Sequence, residues 1–339
     1  MNNEENNIER QELAQRVGKN GDRVLREYFD DIGLANKTNN EINDLINRLR
    51  ICGVDIKKVF SECGRDSTLK TRVDRNQAIA MVFGFFREFG IDVSKLLEGG
   101  KKSNESGQTV YLSFNKGVKR NETTSPTFAG EDVHAYAKET GTLTDAYSLV
   151  HEISHTLYVQ NQFGEARMIL GEVIPQCMER MLDGYLIELA GRKGFNVDIG
   201  TLKENIIKRR ISTAIDRFRM ASRIAKGEYK FASEKAEFSR YMLAQIYATK
   251  LMEMGKSIQK QRIFDFIEAL KSNDIKKAND AFDMQIGKEQ SKERDRYISN
   301  SIWNLQKDIL TFQENEVLKE QTAGTTRTIS KEDEKEPEM

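Results

Sequence analysis

Apolar positions recur at helical spacing over most of the chain. Between about Ile8 and Cys63 the pattern is helical, with Leu45, Ile46, Leu49 and Ile51 set among charged residues. Asn76–Phe89 carries Ala78, Ile79, Met81, Val82, Phe85 and Phe86 and predicts a second strong helix, with Phe83, Phe85, Phe86 and Phe89 as core. GGKKSNESGQ reads as a loop by composition. At Thr109–Phe114 the period changes to two: Val110, Leu112 and Phe114 alternate with Tyr111 and Ser113, which is the pattern of a strand. A second loop, NKGVKRNETTSPTFAGED, leads to DVHAYA, a candidate short strand. Nearly everything after it is helical, with breaks near Gly191–Gly194, Gly227, Gly255 and Asn273. On the last helix Trp303, Leu305 and Ile309 read as packing residues.

The predicted fold is mainly α, with a small β-sheet beside one helix that carries two histidines. Four regions follow from the pattern: an N-terminal helical region over 1–100, a core over 101–255, a C-terminal helical region over 256–318 and a tail over 319–339. The tail is almost without apolar residues and is expected to be disordered, and the first residues of the chain to be frayed. No internal repeat is visible.

Composition narrows the function classes. The 339 residues hold 53 basic and 53 acidic side chains, so the net charge gives no case for nucleic acid or an anionic membrane as partner. No stretch approaches the roughly 18 apolar residues of a membrane span. The opening MNNEENNIERQEL has no apolar core of the kind a secretory signal needs. Cys52, Cys63 and Cys177 are odd in number and lie at no metal-ligand spacing, so free thiols in a reducing, cytoplasmic compartment are expected. Lys208, Arg209 and Arg210 form a run too short for nucleic-acid binding and read as a solvated helix face.

Two of the chain's three histidines fall within TDAYSLVHEISHTLY. Leu149, Val150, Ile153 and Leu157 make an apolar stripe for one face of a helix, with Thr142 and Asp145 as a capping-box start. His151 and His155 then stand one turn apart on a shared face, the geometry by which two imidazoles hold one zinc ion. Glu152 is rotated about 100° from His151 and can lean toward a water on that ion. A catalytic zinc needs a third protein ligand and an open position. The metzincin pattern with a third histidine is excluded, because Tyr158 and Asn161 occupy its later positions. A carboxylate from FGEARMILGEVIPQCMERMLDGYLIEL is the alternative: Glu165, Glu172 and Glu179, seven apart, would lie near one face of a helix. One could bind metal while the next braces a ligand imidazole. Pro175 would leave the carbonyl of Gly171 without its helical partner, which marks this stretch as special unless the helix simply restarts there.

Leu149-Val150-His151-Glu152-Ile153-Ser154-His155 and Glu172-Val173-Ile174-Pro175-Gln176-Cys177-Met178-Glu179 resemble the two zinc motifs of the thimet oligopeptidase and oligoendopeptidase F family of gluzincin metallopeptidases. Tyr247-Ala248-Thr249 is a weaker third match. The resemblance covers roughly Thr109–Met252 and implies a zincin-like catalytic core with Glu172 as third zinc ligand and Glu179 as the following helix glutamate. The chain departs from the family at Ser154 and Lys250, where the family has glycine, and in a shorter gap before Glu172. It also has no histidine after His155 and places Gln245 at a family tyrosine position.

The chemistry so implied is peptide-bond hydrolysis through a zinc-bound water, with Glu152 as general base and Tyr241 or Tyr247 as oxyanion donor. The substrate is an oligopeptide or unfolded segment, for which Thr109–Phe114 could be the pairing edge and His134 a nearby contact or a structural histidine. The rival reading is a zinc-binding module on a degenerate peptidase fold, without turnover.

Overall fold

The computed structural model describes residues 23, 25–63, 71–103, 107–124, 131–159, 164–192, 198–230, 232–284 and 291–332. The terminal residues 1–22, for which the sequence predicts fraying, lie outside this set.

A short π-helical turn (Leu25–Phe29) leads into α1 (Asp31–Ile51), α2 (Ile56–Glu62), α3 (Arg75–Glu88) and α4 (Ser94–Gly99). Strong caps set these boundaries. Asp55 accepts from Lys57 and Lys58 ahead of α2, and Asp74 and Gln77 form a capping box at the start of α3. The buried face of α3 is Ala78, Met81, Val82, Phe85 and Phe86, as its apolar period requires.

Four strands follow: β1 (Lys101–Ser103), β2 (Thr109–Asn115), β3 (Glu122–Thr123) and β4 (Val133–Lys138), in the order β1-β2-β4-β3. β2 and β4 are parallel, and the two outer pairings are antiparallel. β1 falls inside the predicted loop GGKKSNESGQ, because pairing with β2 supplies backbone partners that local composition does not reveal. β2 is flanked on both sides and so cannot offer the edge expected of Thr109–Phe114; the edge beside the histidine helix is β3. On β4, Val133, Ala135 and Ala137 are fully buried and small enough to let a helix approach.

That helix is α5 (Thr144–Thr156), packed on β4, on α3 and on α7 (Val173–Ala190). Its start is not the expected capping box. Asp145 is buried and turns back to accept from Thr140 and Gly141, fixing the turn that joins β4 to α5. Between α5 and α7 lies α6 (Glu165–Leu170). The remainder is α8 (Ile199–Ala225), α9 (Ala232–Glu253), α10 (Lys256–Lys271), α11 (Ile275–Ala281) and α12 (Ser291–Glu332). α12 continues past Lys319, where composition predicts a tail, and residues 333–339 lie outside the described set. Leu305 and Ile309 are buried on α12, whereas Trp303 is 54% exposed and does not pack.

One buried apolar cluster runs from Leu25 to Phe312. α1 packs not on its sequence neighbours alone but on α8 and α12. At that junction Asp31 and Lys235 form an ion pair of 2.7 Å in which both side chains are almost wholly buried. Cys63 and Cys177 are buried and Cys52 is exposed; all three are free. Burial pushes the Cys63 thiol up to about 12 and raises Cys177 as well. Among the described residues no helix is long and apolar enough to cross a membrane.

Candidate metal centre

Leu149, Val150 and Ile153 anchor α5 in the core with no exposed surface, which turns His151 and His155 toward a cavity of about 500 Å³. Their Nε2 atoms lie 3.2 Å apart. Glu172 enters from the break between α6 and α7. Its Oε2 stands 3.5 Å from Nε2 of His151, and its Oε1 stands 3.8 Å from Nε2 of His155.

The break itself is built by glycine and proline. A Cβ on Gly171 would come within 2.6 Å of the Arg167 carbonyl, so only glycine lets the chain turn here. Pro175 sits in the first turn of α7, where its missing N–H costs least. The Gly171 carbonyl accepts the Tyr158 hydroxyl instead of a helical N–H.

This arrangement fixes the histidine tautomers. The single hydroxyl hydrogen of Tyr158 goes to Gly171, so its oxygen accepts from His155 Nδ1, 2.7 Å away. The Nδ1–H of His151 is matched by Glu179 Oε1 at 2.8 Å, and Glu179 is held in turn by Arg209. Both rings thereby turn Nε2 toward the cavity, where a bound metal would take the place of any proton on that nitrogen. Arg209 lies 3.8 Å over the Tyr147 ring, and the Tyr147 hydroxyl donates to Asp183, which also accepts from Arg210.

The donor set fits zinc. Ligands at about 2.0–2.1 Å in a tetrahedral array stand roughly 3.3 Å apart, close to the three spacings here. The fit is supported by an orphan: Glu172 Oε2 is buried and has no hydrogen-bond partner among the described residues. Burial works against charge on Glu172, but the two imidazoles outweigh it and hold the carboxyl down at about 2. Burial also opposes charge on His151, yet Glu172 and Glu179 hold its pKa well above the usual histidine value. His155 goes the other way: burial pushes it down to about 3 and keeps it neutral.

Glu152 is 3% exposed and faces the same cavity. Burial raises its pKa, while the Thr123 hydroxyl, 2.7 Å from Oε2, offsets part of that rise and fixes the carboxylate against β3.

The structure therefore brings His151, Glu152, His155 and Glu172 together, with Glu179 behind His151 and Tyr241 in the cavity wall. It separates the others. Tyr247 is fully buried between Phe266 and Phe282 and bonds to Asn279, so it is a core residue. Glu165 is at the surface near Arg23, because the chain turns at Gly171 and the spacing of seven does not lie on one helix. His134 stacks between Tyr111 and Tyr136 on the sheet and does not line the cavity. Arg209 and Arg210 are not a solvated face; each grips a carboxylate of α7. Tyr158, Thr123 and Arg240 escape the sequence reading. Tyr158 alone carries a signal: it follows His155 by three, one helical turn on, although α5 itself ends at Thr156.

Two solved structures align with the chain at low similarity. A protein described as a "putative peptidase from Chlamydophila abortus" is 14% identical with a TM-score of 0.46, over 86% of this chain and 55% of that one. A second, described as BsuCP, is 12% identical with a TM-score of 0.42, over 86% of this chain and 74% of that one. The chain thus spans little more than half the length of the first. No family model matches the sequence, and no curated protein does.

Removing the Tyr158 hydroxyl should loosen the centre without touching a ligand. Tyr158→Phe is expected to weaken zinc affinity about 10–100-fold, read by competition with a chromophoric chelator.

Proposed function

We propose that the protein is a zinc-dependent metalloendopeptidase of the gluzincin type, with His151, His155 and Glu172 as ligands and an oligopeptide or unfolded segment as substrate. The observation that carries this is the trio of donor atoms at near-tetrahedral spacing, with both outer imidazole nitrogens already committed to Glu179 and Tyr158. A zinc ion held there would supply Lewis acidity, bringing the pKa of a coordinated water toward neutrality and polarising the scissile carbonyl.

The chain's own groups divide the remaining work. Glu152, poised by Thr123 and raised by burial, takes a proton from the attacking water and delivers it to the leaving amine nitrogen. Glu179 and Tyr158 keep the imidazoles aligned while this happens. Tyr241 borders the same cavity and is available to the developing oxyanion, its hydroxyl kept protonated by burial. The edge of β3 that faces away from β4 offers backbone groups to an extended peptide beside Glu152. The three free thiols fit a cytoplasmic site of action.

The test pairs metal content with turnover in wild type and Glu172→Ala. One equivalent of zinc in wild type, at least tenfold weaker zinc binding in the variant, and cleavage of a quenched-peptide library by wild type alone are expected. Zinc without cleavage of any library peptide would favour the non-catalytic binding module instead.

A further inference from the structure

The sequence has no histidine after His155 that could meet a developing oxyanion. The cavity lining nevertheless includes a cationic side chain from α9. Glu237, Arg240 and Tyr241, at i, i+3 and i+4 on α9, present one helix face to the cavity. Of the arginines near the site, Arg209 is committed to Glu179 and Arg120 to Glu122 at the rim, 2.8 Å away. Arg167 is largely buried beneath the Tyr158 ring, and Arg217 packs at 4.1 Å on the Tyr241 ring from outside the cavity.

Arg217 Nε is likewise buried without a hydrogen-bond partner among the described residues, and Arg240 differs from it by its place. Arg240 lines the cavity, yet its Nε is buried and has no hydrogen-bond partner among the described residues. No ion pair holds its guanidinium among those residues either, although Glu237 lies one turn away on the same face. A buried guanidinium donor without a partner is costly unless something completes it. Its charge reaches both Glu172 and His155.

We propose that Arg240 is a catalytic residue, the charged donor to the tetrahedral oxyanion, acting beside Tyr241. This rests on the peptidase reading. Water oxygen adds to the scissile carbon, and the carbonyl π pair moves onto oxygen as the negative charge that Arg240 meets. Collapse restores the C=O bond and breaks the C–N bond, the amine leaving with the proton carried by Glu152. Arg240 exchanges no proton in this sequence and contributes only hydrogen bonds and charge.

The experiment compares zinc-loaded wild type, Arg240→Ala and Arg240→Gln. It reads zinc stoichiometry, kcat and KM on free and C-terminally amidated peptides, and the Kd of a phosphinic peptide whose tetrahedral anion mimics the oxyanion. The glutamine variant, closer in size, stands in if the alanine variant does not fold. Full zinc occupancy, kcat down about 10²–10³ with KM little changed, equal losses on both peptide types and weaker phosphinate binding by a like factor are expected. A KM rise confined to peptides with a free carboxylate would overturn the proposal, making Arg240 a binder of the substrate terminus. Unchanged kcat and phosphinate affinity would overturn it too. Wild type that takes up no zinc would strike the peptidase reading itself, and this inference with it, before any variant is compared.

Discussion

Glu152→Gln is expected to lose peptide cleavage by about 10²–10⁴-fold while keeping one equivalent of zinc. Glutamine fills the same volume, and its amide oxygen still accepts the Thr123 hydroxyl, so α5 and the two imidazoles should stay in place. In the proposed mechanism, what disappears is the group that accepts the water proton and returns it to the amine. The pH dependence carries the same signature. Only the ionised carboxylate acts as base, and burial raises the Glu152 pKa despite the nearby His151 charge and the Thr123 hydrogen bond. Activity should therefore fall as pH drops through a value above the ordinary glutamate pKa of about 4.3. Parallel kcat/KM profiles and metal analysis on both proteins check this. A variant that still cleaves at more than a tenth of the wild-type rate would remove Glu152 from the mechanism.

The second large effect concerns the fold. Lys235→Ala should destabilise the protein by about 3–5 kcal/mol, because it strands the Asp31 carboxylate, 1% exposed, without its cation. Asp31 has few alternatives: Ser239 Oγ is 3.5 Å away, and Asp31 Oδ1 already lacks a partner among the described residues. Replacing both ends together, Asp31→Leu with Lys235→Met, should restore most of the loss, since a buried pair exchanged for apolar groups is often neutral. Urea denaturation of the two single variants and the double variant measures the coupling directly. If Lys235→Ala costs less than about 1 kcal/mol, in the range of exposed pairs, the ion pair is not buried in solution.

Much of the candidate centre's geometry was legible in the sequence because it follows from local spacing. His151, Glu152 and His155 sit within two turns of one helix, and the apolar stripe that buries α5 also aims them. The third carboxylate was harder. Glu165, Glu172 and Glu179 share a spacing that predicts a common face only if the helix is continuous, and Gly171 breaks it. The two tyrosines on α9 lie six residues apart, about 240° around the axis, so one helix could not aim both at the site. Spacing alone does not say which of them faces inward. The arginines were the least legible. A basic run looks the same on paper whether water or a buried carboxylate receives it, and Arg209 and Arg210 meet Glu179 and Asp183 only through the packing of α8 beside α7. Strand β1 was hidden for the same reason: its partner, not its composition, makes it a strand.

The docking of α1 has a consequence for how the chain is made. α1 rests against α8 and α12, and Asp31 finds its counter-ion on α9. On a ribosome adding about 5–20 residues per second, Lys235 emerges roughly 10–40 s after Asp31. Through most of that interval the apolar face of α1, with Leu34, Leu45 and Leu49, lacks the surfaces of α8 and α12 that cover it in the fold. The nascent N-terminal third thus waits longest for its partners on α8 and α12, and slowing translation between α1 and α9 should lower the yield of folded product.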